Sequence, residues 1–382
     1  PKGPIGTGAV VAGIEQLRNR LLDSQITTEG SIGGFLEAKQ KALNFGEVNL
    51  GQQIDRQAST PEAATAALGV GGQFGLVEGL TDFFNALQAL STAPNSTADR
   101  QVVLLKAESL TDRFNSIDRR LETLRADLNI AVGDDVVEAN QLLLEITDLS
   151  RSITAGELGG TGNANDLRDR RQQKLEDLAQ LVNFQTSDGP NNTLNITIGG
   201  TLILSENNQL ETLDTFTDAD GGVQINTSSG TALTLTSGSV QGTIDARDGA
   251  VLTLASNIKN LASVLMTEVN TLHATGFALD GVSTGENFFT GTDSSDIQTN
   301  SIVRADPTLI QASANGDAGN NGVALKLAQL GAEPISTLGD VTFSESYNQT
   351  VANFGQALSN VNSQIQDQQA VSRMLAAQRD SI

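Results

Sequence analysis

The sequence of 382 residues contains no cysteine, no tryptophan and a single histidine. Without cysteine the chain forms no disulfide, no thiolate nucleophile and no cysteine-ligated zinc site. A two-histidine zinc motif is excluded as well, because His273 has no second histidine to act with. His273 lies at the end of a helical repeat, which predicts a packing or capping role. Aromatic residues make up only 4% of the chain, so its cores must be built from Leu, Ile, Val and Ala.

Basic residues are scarce in the second half of the chain. The formal net charge is −22, and Leu175 to Ser372 contain 21 acidic against four basic residues. Residues 1–174 are nearly balanced, with 23 acidic and 17 basic residues. A strongly acidic surface repels phosphate backbones and anionic lipids. The composition therefore predicts a solvated outer surface and argues against nucleic-acid and membrane-surface partners.

Long apolar runs are also missing from the sequence. No run approaches the roughly 18–20 residues of a membrane span, and no basic segment precedes an apolar one as in a cleavable signal. The chain begins at Pro1 without Met and stops at Ile382 inside a helical pattern. These features predict a fragment or processed form of a longer protein.

What is present is an apolar spacing of three and four residues that recurs in three stretches. Such spacing places side chains on one seam of a helix, the pattern of a coiled coil or a long bundle. The seams carry no candidate catalytic residue, which indicates a structural assembly protein before an enzyme. The seam residues are Leu110, Phe114, Ile117, Leu121, Leu124 and Leu128; Val251, Leu254, Ile258, Leu261 and Leu265; and Tyr347, Val351, Phe354, Leu358, Val361 and Ile365.

The helical periodicity predicts individual helices along most of the chain. After a short extended segment at 5–14, the pattern predicts either one long helix over about 15–54 with a soft point at its glycines, or two helices. An interior glycine costs roughly 0.5–1 kcal/mol relative to alanine. Thr97 is a plausible N-cap for the longest helix, and Asn165 or Asp166 for the next. Residues 57–72 predict a loop or weak helix. The other helices are predicted at 76–90, 98–155, 166–182, 249–274, 322–330 and from Ser344 onward.

From Phe184 the apolar period changes to two, which predicts strands. Gly199-Gly200 supplies a hairpin turn between the alternating segment that begins at Leu194 and the next strand. Residues 276–340 are rich in Gly, Asp and Asn, and this composition predicts a segment that mixes short strands and a short helix. The remaining strands are predicted around 202–204, 223–225, 233–235 and 301–304.

Together these patterns predict an α+β multi-domain protein, with an elongated helical bundle or coiled-coil-like rod domain and an inserted small β domain. The helical rod is predicted to be discontinuous, because each helix exposes a seam that another helix must cover. The predicted segments are 1–183 for the first part of the rod, 184–248 for the β domain, 249–275 for a return helix, 276–343 for a mixed α/β segment and 344–382 for a C-terminal rod helix.

Three segments partly match known patterns for calcium binding, phosphate binding or acid–base catalysis, but each lacks a required feature. Asp214–Asp220 precedes a glycine as in a calcium loop, but Ile225 replaces the glutamate at its twelfth position. A charged hairpin loop is the preferred interpretation, with calcium binding left open. Gly156–Gly162 lacks the Gly-Lys-Ser/Thr ending of a phosphate loop. Asp134 and Asp135 are adjacent on a helix and point apart. We therefore predict no catalytic residue, no cofactor and no metal ligand.

Several stretches resemble the flagellar hook-associated protein 1 family, in the family's order. Residues 268–289 contain FALDG, five further residues and then NFF. A second landmark is Asp306-Pro307 with Ile310 to Ser313. The other similar stretches are GTGAVVAGIEQLRNRLLDSQ at 6–25, residues 79–128, NDLRDRRQQKLEDLAQLVNF at 165–184 and QDQQAVSRMLAAQRDSI at 366–382. Segment 57–75 matches poorly, and the family's terminal helices are missing.

The resemblance implies a structural axial protein of the bacterial flagellum at the junction between hook and filament. It implies an extracellular location, reached by secretion without a cleaved signal. It also implies the hook protein and the second junction protein as partners, self-association in a ring when full length, and an export chaperone that binds the missing C-terminal helix. Alternatives left open are a flagellin-like subunit, the second junction protein, a secreted adhesin and an insert-bearing hydrolase.

Overall fold

The computed structural model describes residues 20–49, 75–158, 164–190 and 193–381. This part of the chain is mainly helical with a small antiparallel strand region, which confirms the predicted α+β class. The predictions for 5–14 and 57–72 lie outside the described residues. The helices are α1 Arg20–Asn49, α2 Leu76–Thr92, α3 Thr97–Leu158, α4 Asn165–Leu181, α5 Ser239–Ala246, α6 Leu252–His273, α7 Ser301–Ala305, α8 Gly322–Leu330 and α9 Phe343–Asp380.

All strand pairs among the described residues are antiparallel. Strands β1 to β4 form one sheet in sequence order, while β5 pairs with β6 and β7 pairs with β8. The turn between β2 and β3 uses Gly199 and Gly200, both with positive φ, as the sequence predicts. The strands are β1 Phe184–Asp188, β2 Leu194–Ile198, β3 Thr201–Ser205, β4 Asn208–Gln209, β5 Leu213–Thr217, β6 Val223–Thr227, β7 Phe289–Thr290 and β8 Gln298–Thr299.

Two helix starts differ by a residue or more from the predicted caps. The longest helix is capped by Ser96, whose Oγ accepts a hydrogen bond from the Asp99 N–H at 3.2 Å, and Thr97 is the first helical residue. Helix α4 begins at Asn165, with Ala164 at the capping position and no side-chain cap. Several polar residues at these helix starts could act as N-caps, so the local sequence does not determine which one does.

Residues 301–304 were predicted as a strand and form the short helix α7. The prediction was wrong because the Asn300 side chain caps this segment, accepting a hydrogen bond from the Ile302 N–H at 3.0 Å. That bond favours a helical turn over the strand propensity of Ile302 and Val303.

Two further corrections concern the end of the strand region. Residues 233–235 do not form a strand, although Leu233 and Leu235 are buried. Ser239–Ala246, predicted to belong to the β segment, is helix α5, and a π-helical stretch at Arg247–Val251 joins it to α6. Val240 and Ile244, four residues apart, face the core and fix the helical conformation.

Contacts within the chain define two compact units, each built from separated segments. Unit 1 comprises Pro1–Ala42, Asp127–Ala246 and Asn360–Ile382, and unit 2 comprises Leu43–Ala126 and Arg247–Ser359. The long helices α1, α3 and α9 therefore contribute residues to both units. The division into a rod, a β domain and a mixed segment stays a prediction.

In unit 1, strands and helices share one hydrophobic core. Apolar residues of α3 from Val132 to Ile146 and of α4 from Leu175 to Leu181 meet the inward-facing residues of β2, β3, β5 and β6. Strand β2 shows the expected alternation, with Leu194, Ile196 and Ile198 buried. The strands need the apolar surfaces of α3 and α4 because a small sheet has one apolar face that must be covered.

The glycines of α1 do not interrupt the helix; they allow close packing. A Cβ added to Gly34 would lie 2.0 Å from the carbonyl oxygen of Gln180 in α4. Gly242 of α5 approaches α1 in the same way, since its added Cβ would lie 2.2 Å from the Phe35 carbonyl oxygen. Here the glycines serve tertiary packing, which outweighs their helix-propensity cost.

In unit 2, most residues of the first two predicted seams are buried, and five phenylalanines form a cluster. Leu110, Phe114 and Leu121 of α3 are at most 1% exposed, and the residues of the second seam are at most 2% exposed. Ring centroids of neighbouring phenylalanines lie 4.9–5.9 Å apart, the range of favourable aromatic pairs. The cluster comprises Phe83, Phe84, Phe288, Phe289 and Phe343.

One described helical stretch, Ser239–His273, is long and apolar enough by length and composition to cross a membrane. Its apolar residues are used in packing, with Leu254, Ile258 and Leu265 at most 2% exposed. A core helix of a folded protein passes the same test. The stretch is therefore weak evidence for a membrane span.

Two helical glycines of unit 1 give opposite predictions. Gly34→Ala is expected to lower the free energy of unfolding by about 1–3 kcal/mol, because the methyl group would overlap the Gln180 backbone. Gly133→Ala in α3 has nothing within 4 Å and is expected to raise it by roughly 0.5–1 kcal/mol through helix propensity. Urea denaturation followed by circular dichroism measures both. Equal changes in the two variants would contradict the close approach at Gly34.

Candidate functional site

Polar side chains in both units bind main-chain groups of loops and strands. Among residues 20–49, 75–158, 164–190 and 193–381, no group of three or more His, Asp or Glu side chains could hold a metal ion. The best-defined polar positions are instead asparagines and one arginine that tie irregular segments to helices.

Asn129 and Asn140 of α3 hold the β5–β6 hairpin at two points. The Asn140 amide donates to the Leu213 carbonyl at 2.8 Å and accepts from the Leu213 N–H at 2.9 Å. Asn129 donates to the Gly221 carbonyl at 3.0 Å and accepts from the Val223 N–H at 3.1 Å. Eleven residues make about three helical turns, so both amides lie on one face. We call these two residues the asparagine clamps.

Other asparagines act in the same way on single segments. Asn207 is 4% exposed; it accepts from the Leu194 N–H at 2.9 Å and donates to Thr154 Oγ1 of α3 at 2.9 Å. In unit 2, the Asn270 oxygen accepts from the N–H groups of Phe288 and Phe289, each at 2.9 Å. An amide can satisfy a donor and an acceptor at once, as a peptide group does.

Arg100 is a buried cation held by carbonyl groups. It is 1% exposed and donates to the Pro94 carbonyl at 2.7 Å and the Thr308 carbonyl at 3.3 Å, as well as to the Ile310 carbonyl. Burial lowers the pKa of this guanidinium below its ordinary value. Arg100 therefore links the start of α3 to the segment around Thr308 and Ile310.

His273 is fully buried at the end of α6, in agreement with the packing or capping role predicted from the sequence. Its Nε2 accepts a hydrogen bond from the Gln311 N–H at 3.0 Å, so the proton of the neutral ring lies on Nδ1, which donates to the Glu286 carbonyl at 2.7 Å. Burial lowers the pKa of His273 to about 4, and the nearby charge of Arg100 acts in the same direction. The ring is a neutral structural link.

Asp218 organises the hairpin that the sequence suggested as a possible calcium loop. Its Oδ1 accepts from the N–H groups of Asp220 and Gly222 at 3.0 and 2.8 Å, and its Oδ2 accepts from Gln224 Nε2 at 3.0 Å. A carboxylate that caps its own turn explains the acidic sequence without a cation. Calcium binding by Asp214–Asp220 stays untested.

The adjacent acids Asp134 and Asp135 point apart, as expected on a helix. Asp135 Oδ2 accepts from Ser239 Oγ at 2.5 Å, and burial raises the pKa of this carboxyl group. Asp134 is exposed. Asp135 thus joins α3 to the start of α5, and the pair does not form an acid–base couple facing one site.

A surface groove of about 460 Å³ lies between α3 and α4 in unit 1. Lys174 on one wall pairs with Glu145 on the other at 2.8 Å. The hydrogen bond from Lys174 to Glu145 raises the pKa of the amine, which keeps it protonated and poorly nucleophilic. The groove is lined by Glu145, Asp148, Leu149, Ser152, Arg170, Gln173 and Lys174.

Carboxylates of unit 2 with lowered pKa values are turn caps. Hydrogen bonds from Ser283 and Thr308 hydroxyls lower the pKa of Asp280 and Asp306, and the Thr292 N–H does the same for Asp296. These groups stay ionised near neutral pH. They stabilise local turns, since hydrogen bonds to the charged form favour it.

The asparagine clamps and Arg100 could not be predicted from the sequence. Asn140 follows the buried Ala139 within a helix, and nothing in the local pattern distinguishes it from an exposed polar residue. Its partner Leu213 is 73 residues away, so the signal is a tertiary one. The residue types alone do not indicate these contacts.

Comparison with known proteins identifies the class as flagellar structural proteins. The model of the family described as "Flagellar hook-associated protein FlgK helical domain" matches residues 62–289. This match covers more than half of the chain. The chain belongs to the flagellar hook-associated protein FlgK family, as the resemblance of its sequence motifs predicted.

Similar proteins are named flagellar hook-associated protein 1. The chain is 26% identical to flagellar hook-associated protein 1 of Bacillus subtilis (strain 168) over 367 residues, covering 86% of this chain and 69% of that protein. It is 25% identical to flagellar hook-associated protein 1 of Escherichia coli (strain K12) over 302 residues, covering 75% of this chain and 51% of that protein. The chain thus spans about half the length of the latter.

A solved structure has the same fold. The flagellar hook junction protein FlgK from Burkholderia pseudomallei superposes with a TM-score of 0.73, over 94% of this chain and all of that one. The sequence identity is 14%, so the likeness concerns the fold.

Asn140→Ala is expected to lower the free energy of unfolding by about 1–3 kcal/mol, because it leaves the N–H and the carbonyl of Leu213 without the Asn140 amide. Gln141→Ala, at the next and exposed position, is the matched control and should change it by less than about 0.5 kcal/mol. Urea denaturation of both variants is the measurement. A control as destabilised as Asn140→Ala would contradict the clamp.

The buried His273 predicts an acid-dependent loss of stability. Its pKa is about 4 when folded and about 6.5 when unfolded, so the unfolded state binds the proton first as the pH falls. The contribution of His273 to the free energy of unfolding is therefore fully present above about pH 6.5. It decreases by up to roughly 3 kcal/mol as the pH falls towards 4. The difference in unfolding free energy between the wild type and His273→Gln, measured from pH 7 to 4, isolates this contribution. Parallel pH profiles would contradict it.

Proposed function

We propose that this chain is a structural axial component of the bacterial flagellum that forms the junction between hook and filament, and that it is not an enzyme. Membership of the FlgK family carries the proposal. The relatives named flagellar hook-associated protein 1 favour it over a flagellin-like subunit, the second junction protein or an adhesin. Function then resides in contacts between subunits.

The partners of this function are the hook protein, the second junction protein and further copies of the same protein in a ring. An export chaperone that binds the C-terminal helix of the full-length protein completes the set. The protein acts outside the cell, after secretion without a cleaved signal. Association with hook and flagellar components is supported by the names of its relatives.

The charge distribution supports protein partners over nucleic acid and membranes. The segment from Leu175 to Ser372 contains 21 acidic and only four basic residues, so it repels phosphate groups at low ionic strength. Long helices such as α3, with 62 residues, offer extended faces on which other subunits can pack.

Deleting the full-length gene from its own bacterium is expected to leave hooks without stable filaments. Restoring the gene should restore swimming, and antibody labelling in electron microscopy should mark one band between hook and filament. A gene carrying Gly133→Ala is the control, since this change adds no contact. Labelling along the whole filament, or normal filaments after deletion, would contradict the proposed function.

A further inference from the structure

Three apolar residues of α3 in unit 1 remain exposed at intervals of seven. Ile130, Val137 and Leu144 are 63%, 57% and 55% exposed. At 100° per residue they deviate by only about 20° per heptad, so they lie in one row along the helix. We call these three residues the α3 row. Such a heptad row is the pattern of a helix that packs on another helix.

The two flanks of the α3 row differ in chemistry. On one side, at about 60–80° around the helix, the asparagine clamps hold the β5–β6 hairpin. On the other side, at about 60–100°, lie the exposed carboxylates of Asp127, Asp134 and Glu138. An incoming helix would therefore meet acids along one of its edges.

These three carboxylates lack cationic partners in the part of the chain that the structure describes. The acids nearer Leu144 do have partners: Glu145 pairs with Lys174 at 2.8 Å and Asp148 with Arg151 at 3.8 Å. Unbalanced negative charge is thus concentrated beside Ile130 and Val137. A second copy that docked through its own α3 row would bring the same acids to the same place, so repulsion disfavours pairing of two α3 rows.

We propose that the α3 row is the docking face for an amphipathic helix of a neighbouring protein, whose apolar heptad row is flanked by Lys or Arg. The apolar residues supply contact area, and the basic flank meets Asp127, Asp134 and Glu138. The proposal rests on the proposed function in subunit contact, and it names the face and the chemistry of the partner.

A synthetic peptide tests this recognition directly. The probe is a helical peptide of 21 residues with leucine at its heptad positions, lysine along one flank and one tryptophan. Its twin carries glutamate in place of lysine. Because the chain has no tryptophan, emission reports on the peptide alone. The lysine peptide is expected to bind the wild-type chain at least about tenfold more tightly than the glutamate twin.

Variants locate the binding. Val137→Glu should weaken binding of the lysine peptide at least about tenfold, whereas Val282→Glu, at a residue 77% exposed in unit 2, should leave it unchanged. Asp134→Asn combined with Glu138→Gln should weaken it and reduce its salt dependence. Unchanged thermal melts confirm that these exposed substitutions leave the fold intact.

Three results would overturn the proposal. They are failure of the lysine peptide to bind, equal losses in Val137→Glu and Val282→Glu, and a concentration-dependent dimer in sedimentation that Val137→Glu abolishes. The last result would assign the α3 row to a second copy.

The flagellum separates failure of this inference from failure of the proposed function. Full-length protein carrying both Val137→Glu and Leu144→Glu is expected to lose its band between hook and filament. If the wild type itself forms no such band, the proposed function fails. If the wild type and the double variant assemble equally well, only the docking face is wrong.

Discussion

Hydrogen bonds between side-chain amides and main-chain groups hold the irregular parts of this protein against its helices. A chain without cysteine has no disulfide to fix a loop. Buried main-chain groups must still find partners. Asn129, Asn140 and Asn207 supply them in unit 1, and Asn270 does so in unit 2. On α3 these amides hold the hairpin in addition to the buried Leu213 and Ile225.

The regular part of the fold could be predicted from the sequence because helix periodicity is a local signal. The predictions at 98–155, 322–330 and from Ser344 each match a helix within a few residues. Prediction failed where a distant or capping contact decided the conformation. Asn300 turned a β-branched segment into a helix. The close approach of Gly34 to Gln180 likewise had no local signal in the sequence. The candidate site shows the same limit, since Arg100 binds carbonyls more than 200 residues away.

The strands of unit 1 depend on its helices for a hydrophobic core. Strands β2, β3, β5 and β6 have no separate core within the described residues; they complete the core of α3 and α4. Removing them would expose Val136, Leu143 and Ile146 to water, at a cost of roughly 1.5–3 kcal/mol for each large side chain. At the hairpin tip, Asp218 bonds to its own turn, and Asn129 of α3 holds the Gly221 carbonyl.

The pairing of α1 with α9 sets the order in which unit 1 can form. Gln40 bonds to Asn362 at 2.6 Å, and the Gln368 amide donates to the Glu29 carbonyl at 2.9 Å, across 322 and 339 residues of chain. A ribosome adding about 5–20 residues per second needs roughly 15–70 seconds to make that interval. During this time α1 has emerged and its partner does not yet exist. Unit 1 is therefore completed by some of the last residues described here, and until then the α9-facing side of α1 is open to water or to another protein.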